Sequence, residues 1–183
     1  MIEKTPIFTI DVHTQEDFLN QQEIDKLITG INKEDLLDYS FFKGDAKSSY
    51  VAMQEQKPNI LDFHRDIADK IINKVYVTNQ RMADSWCNIQ GKGSTLDFHN
   101  HPNSVVSGVI FLKADEKSSK LVFQNPLTPI SPTAVSPHRE IYELTPKTGL
   151  LAMWPSYLMH GSGDSVNKSK DRAVLSFNTW AKK

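Results

Sequence analysis

The sequence predicts a mainly β fold with helices confined to its N-terminal side, and three observations carry that prediction. Within residues 20–33 and 57–77 the apolar positions recur every three to four residues; from about residue 82 they shorten into β-type runs; and turn residues separate those runs. The first helix, NQQEIDKLITGINK from Asn20 to Lys33, sets Ile24, Leu27, Ile28 and Ile31 along one face. A second, KPNILDFHRDIADKIINKVYV, keeps the period through Ile60, Leu61, Ile67, Ala68, Ile71, Ile72 and Val75, with Pro58 and Asn59 as start signals. His64 falls on this helix and reads as a partly exposed helix histidine.

From Met82 onward the runs MADSWCNIQ, STLDFHN, SVVSGVIFL, KLVFQN, EIYEL, GLLAMW and RAVLSFNTW read as short strands, the pattern of a sandwich or barrel. Residues 125–139, NPLTPISPTAVSPHR, hold four prolines and little periodicity. They read equally as a lid over a binding site or as a connector stiffened by proline, with His138 an exposed polar residue.

A chain of 183 residues that is 39% hydrophobic suits one domain over 1–183, with 1–81 as helical support and 82–183 as the β core. Lys and Arg number 21 against 22 Asp and Glu, so no electrostatic drive toward phosphate backbones or anionic lipid exists. Nucleic acid and membrane are therefore excluded as main partners. The single cysteine, Cys87, rules out an intramolecular disulfide and any multi-cysteine metal site, and reads as a small buried apolar residue in a reducing compartment. No apolar run approaches the ~18 residues of a membrane span, and the start MIEKTPIFTIDVH lacks a basic flank before an apolar stretch, so a cytoplasmic location is expected.

The chemistry concentrates in GSTLDFHNHP, residues 93–102. On a strand, positions i and i+2 share a face, so His99 and His101 aim at one point. Two imidazoles hold a divalent metal modestly, and a third donor from elsewhere completes a set with open positions. His160 is the strongest candidate, after the strand and proline turn of GLLAMWPSYLMHG. Farther on, RAVLSFNTW places Arg172, Val174, Ser176 and Asn178 on one face. A guanidinium, a hydroxyl and an amide suit a face that receives a carboxylate, although Arg172 could instead meet solvent or an acidic neighbour. The three upstream histidines tip the balance toward the carboxylate.

These motifs together, W-x-N (Trp86, Asn88), H-x-H-P-N-S (His99 to Ser104), S-G-V (Ser107 to Val109), FQNP (Phe123 to Pro126), G-x5-P-S-x-x-x-H (Gly149 to His160) and R-x-x-x-S-F-N (Arg172 to Asn178), resemble the 2-oxoglutarate and iron(II) dependent oxygenases, relatives of prolyl 4-hydroxylases of bacteria and their phages. The resemblance covers about residues 82–180. It implies a double-stranded β-helix, a jelly-roll or cupin-like barrel, with the N-terminal helices bracing the outside of one sheet. His99 and His160 match the histidine ligands, and Arg172 matches the arginine that holds the far carboxylate of 2-oxoglutarate.

His101 stands where the wider family usually has an acidic residue, so three neutral ligands would leave the site one charge more positive, and zinc or nickel would accept it as iron(II) does. Asp97, two residues before His99, is the alternative ligand or an orienting partner. His101 is preferred for its offset from the first histidine. The resemblance further implies a dioxygenase that consumes dioxygen and 2-oxoglutarate, hydroxylates a small molecule or a peptidyl group such as proline, and releases succinate and carbon dioxide. Asn88, Ser107, Ser176 and Asn178 are candidate polar contacts for the cosubstrate, and Trp86, Phe111, Trp154 and Tyr157 candidate walls.

A cupin is the nearest rival, since Gly93-x5-His99-x-His101 and Gly149-x5-Pro155 followed by His160 fit its two half-motifs. Val105 or Val106 replaces its glutamate, Tyr157 stands where glycine is usual, and Arg172 has no task in it. A second rival is a metal-bound β-helix without catalysis that binds a partner.

Overall fold

The computed structural model describes residues 9–31, 33–50, 65–126 and 141–182. Pro58, Asn59, Ile60, Leu61 and His64, and the proline-rich stretch from 127 to 139 with His138, lie outside them. In chain order the elements are β1 (His13–Gln15), α1 (Gln21–Gly30), a single 3-10 turn (Lys33–Asp35), β2 (Phe42–Lys43), β3 (Ala46–Ser48), α2 (Arg65–Ile72), β4 (Gln80–Gln90), β5 (Thr95–Leu96), β6 (Val106–Lys113), β7 (Leu121–Gln124), β8 (Ile141–Leu144), β9 (Leu151–Pro155), β10 (His160–Gly161) and β11 (Arg172–Ala181). The fold is mainly β with few helices.

Helix α1 starts where Asn20 and Glu23 close a reciprocal capping box, each side chain accepting from the other's backbone N–H at 2.9 and 3.0 Å. It stops at Gly30, and Ile31 is already extended. Ile24 and Leu27 are buried, whereas Ile28 is exposed, which narrows the predicted apolar face. On α2 the buried pair is Ile67 and Ile71. Val75 packs against the same core from beyond the helix end.

Six strands form the main sheet in the order β1-β9-β6-β11-β4-β3, every pairing antiparallel. A smaller sheet has the order β10-β7-β8, and β2 pairs with β5. Six of the seven predicted runs appear as strands close to their expected limits. The seventh, STLDFHN, keeps only Thr95–Leu96, because beyond it a single bridge joins His99 to His160. Besides its helices, the N-terminal third holds strands. It supplies β1 and β3, which flank both edges of the main sheet, strands too short and polar (HTQ and AKS) to leave a local signal.

Alternation along β4, β6, β9 and β11 separates two cores. Cys87, Ile110, Leu112, Leu151, Met153, Leu175 and Phe177 face outward and meet Ile24, Leu27, Ile67 and Ile71 of the helices. Val109, Phe111, Ala152, Trp154 and Val174 face inward and meet Leu121 and Phe123 of the smaller sheet. The helices therefore brace the outside of the main sheet, and its inner face is covered by strands. Among the described residues no helix is long and apolar enough to cross a membrane.

Candidate active site

The inner face does not close over apolar residues alone. A cavity there is lined by His99, His101 and His160 at one part and by Gln90, Arg172 and Ser176 at another. How the three histidines converge follows from backbone pairing. His99 and His160 exchange both N–H···O bonds at 2.9 Å, so they stand directly opposite and their rings lie on one side, with centroids 4.4 Å apart. Gly161 permits this approach, since a Cβ there would stand 2.8 Å from the Leu96 carbonyl oxygen and 3.0 Å from that of Asp97. His101 is pinned separately, its N–H donating to the Ser156 carbonyl at 2.9 Å in the turn after β9. Its ring centroid lies 5.1 Å from that of His99 and 5.2 Å from that of His160.

One nitrogen of each ring falls within 4.8 Å of the others, which is metal-binding geometry. Two rings are also oriented for it. His99 Nδ1 contacts the Asp97 carbonyl and His160 Nδ1 the Leu158 carbonyl, both at 2.9 Å. A carbonyl only accepts, so Nδ1 carries the proton and Nε2 is left with a free lone pair. Burial lowers the pKa of all three imidazoles, with the neighbouring His99 adding to the effect at His101 and His160, and holds His101 down to about 4. At neutral pH all three are uncharged donors.

Asp97 is not in this cluster. Its carboxylate pairs with Lys43 at 2.7 Å, half-exposed, because the chain between β5 and the His99 bridge does not continue as a strand and the i, i+2 rule does not carry Asp97 onto the histidine face. Of the aromatic residues expected as walls, Trp86, Phe111 and Trp154 line the cavity. Tyr157 does not, being 58% exposed in the turn after Pro155.

Arg172 lies on the inner face and is only 6% exposed. Its guanidinium packs over the Phe111 ring, 5.3 Å from the centroid, and donates through Nη1 to Gln90 Oε1. Nε has no partner, and among the described residues no carboxylate pairs with the group. Burial draws its pKa down to about 10, so it stays cationic at neutral pH. A buried cation without an anion calls for an explanation.

Asn88 accepts from Ser48 at 2.6 Å and donates to Ser176 at 3.3 Å on the cavity wall. Ser107 hydrogen-bonds Ser156 at 2.8 Å and donates to Asn178 Oδ1 at 2.7 Å. Asn178 Nδ2 in turn reaches Asp84 at 2.8 Å and touches His101 Nδ1 at 3.5 Å. Asn88, Ser107 and Ser176 line the cavity, and Asn178 stands behind His101 rather than on its wall. Gln90 is missing from the sequence reading, although the alternation that selects Trp86 and Asn88 on β4 also selects it. Tyr39 and Tyr50 line the cavity as well, reaching His101 through Trp86 in a chain of ring contacts of 5.1, 5.0 and 5.6 Å. No local signal marks them, since their segment reaches the site only through the pairing of β2 and β3.

Known proteins share this fold. HygX from Streptomyces hygroscopicus, solved with nickel and 2-oxoglutarate bound, superposes with a TM-score of 0.70 at 13% identity, over 95% of this chain and 84% of that one. The collagen prolyl hydroxylase of Paramecium Bursaria Chlorella virus-1, solved as a 2-oxoglutarate complex, gives 0.60 at 15% identity over 93% and 96%. A prolyl-4-hydroxylase from Pseudomonas putida gives 0.57 at 13% identity over 96% and 95%. At such identities the likeness is one of fold. No curated protein matches the sequence. The family model described as "Putative 2OG-Fe(II) oxygenase" matches residues 84–178, a little over half of the chain and the whole span from Asp84 through the three histidines to Asn178. The chain belongs to the 2-oxoglutarate and iron(II) dependent oxygenase family.

Proposed function

We propose that His99, His101 and His160 hold iron(II), that Arg172 receives the far carboxylate of 2-oxoglutarate, and that the protein hydroxylates a small molecule or a peptidyl group such as proline. The donor set suits the metal: three neutral, convergent imidazoles with two Nε2 lone pairs already aimed. When bound, the metal and 2-oxoglutarate supply the oxidising chemistry, with dioxygen consumed and succinate and carbon dioxide released. The remaining work falls to the protein. Arg172 orients the cosubstrate by its fork, Ser176 and Asn88 shape the adjoining wall, and Ser107 and Asn178 steady His101. Trp86, Phe111 and Trp154 keep water from the cavity.

The observation that carries the reading is the buried, uncompensated guanidinium on the same cavity as the histidines. A cupin or a purely metal-binding protein leaves it without purpose. A bound dicarboxylate supplies the missing anion and gives the Nε proton an acceptor. The reading includes one domain over 1–183, its two sheets arranged as a double-stranded β-helix, in a reducing, cytoplasmic setting supported by the lone, fully buried Cys87.

The test is anaerobic titration with iron(II) followed by 2-oxoglutarate, monitored for the weak visible charge-transfer band of the chelate. The band is expected with the wild-type protein, and its absence overturns the reading. Arg172→Ala should leave iron bound and weaken 2-oxoglutarate by about 2–4 kcal/mol, the range for a charged pair that loses one member.

A further inference from the structure

We propose that Gln90 is a second recognition group for the far carboxylate of 2-oxoglutarate, acting beside Arg172 and helping to select a dicarboxylate over a monocarboxylate. The inference rests on the cosubstrate reading above. Gln90 and Arg172 are direct partners across the β4–β11 pairing, and both side chains are buried against the same cavity. A guanidinium has only donors, so the Gln90 amide must present its oxygen to Arg172, and its NH2 then points elsewhere.

That NH2 group is buried and finds no acceptor among the described residues. Arg172 Nε is in the same condition, and so is Trp154 Nε1. Among the described residues, three of the four unpartnered buried side-chain atoms are therefore N–H donors of residues that line one cavity. Buried donors left unmatched are costly, and their concentration here marks a place for an acceptor-rich guest. Asn88, two residues earlier on the same face, shows the contrast, since both ends of its amide are used within the protein. Of the two, Gln90 alone has an amide nitrogen without any partner among the described residues.

The residue type matters. Glutamate at 90 would neutralise Arg172 internally, and leucine would remove both the brace and the donor. Glutamine holds the guanidinium in place, adds an N–H, and leaves the positive charge uncompensated for a guest carboxylate.

The experiment measures binding without turnover, by calorimetry on protein loaded with zinc(II), using 2-oxoglutarate and 2-oxopentanoate, which carries a methyl group in place of the far carboxylate. Gln90→Leu should weaken 2-oxoglutarate about tenfold and leave 2-oxopentanoate unchanged. Gln90→Glu keeps the size and should bind 2-oxoglutarate at least about a hundredfold more weakly, while raising the melting temperature of the ligand-free protein. Unchanged 2-oxoglutarate affinity in either variant, or an equal loss for both acids in Gln90→Leu, overturns the role of Gln90. If the wild-type protein binds no 2-oxoglutarate, the cosubstrate reading falls, and this inference with it.

Discussion

The outer and inner faces of the main sheet are made from the same strands, one residue apart, and they differ in almost every physical respect. Outward, Cys87, Ile110, Leu175 and Phe177 are wholly buried against α1 and α2, and none carries a group that needs a partner beyond the Cys87 thiol. Burial pushes that thiol up to about 12, which leaves it protonated and inert. Inward, the neighbouring positions hold Asn88, Gln90, Ser107, Arg172, Ser176 and Asn178, and two of them carry donors without acceptors. A face that only stabilised the fold would not keep a buried cation and unmatched N–H groups. Both faces carry a hydrophobic core, and among these residues the polar groups without partners lie on the inner one alone.

The contrast predicts that damage to each face has its own signature. The largest effect is expected from His160→Ala, which removes one of three convergent donors. Iron(II) affinity, measured by competition with a chromophoric chelator, should fall by more than about a hundredfold while the folded state persists. If affinity survives, the inner face is not a metal site. Leu175→Ala should cost about 2–5 kcal/mol in urea unfolding and leave the metal affinity of the folded protein unchanged. A loss of metal binding there would show that the two faces are not separable.

A smaller effect concerns acid. The buried imidazoles have pKa values below the ordinary 6.5, so between 6.5 and about 4 the unfolded chain takes up protons that the folded one does not. The stability of the metal-free protein should be fully present above pH 6.5 and fall on the order of 2 kcal/mol toward pH 4. Denaturant melts across that range check it, and His160→Ala should flatten the profile. Last, Asp97→Asn removes only the exposed pair with Lys43 and should change stability by less than about 1 kcal/mol, with iron affinity intact. A loss of iron would restore Asp97 as a ligand.

Much of this division could be read before any fold was known. The i, i+2 alternation along RAVLSFNTW separates Arg172, Ser176 and Asn178 from Ala173, Leu175 and Phe177, and the structure buries the two sets in different places. The same rule fails for Asp97, because Thr95–Leu96 is the whole of that strand and Asp97 lies beyond it. Ile28 and Tyr157 fail for a related reason: apolar character shows what would gain from burial, and only the neighbours present in space decide whether burial occurs.

By itself the sequence determined most of the strands and the order of the motifs, since each rests on periodicity or spacing within a short segment, and it brought His99, His101, His160 and Arg172 forward as candidates. Tertiary structure alone decided that His99 pairs with His160 across 61 residues of chain, that β1 and β3 complete the sheet, and that Gln90 stands unmatched beside Arg172. Those outcomes depend on which distant backbone groups share hydrogen bonds and on which polar groups lose water when the sheets meet, and neither quantity belongs to any one segment.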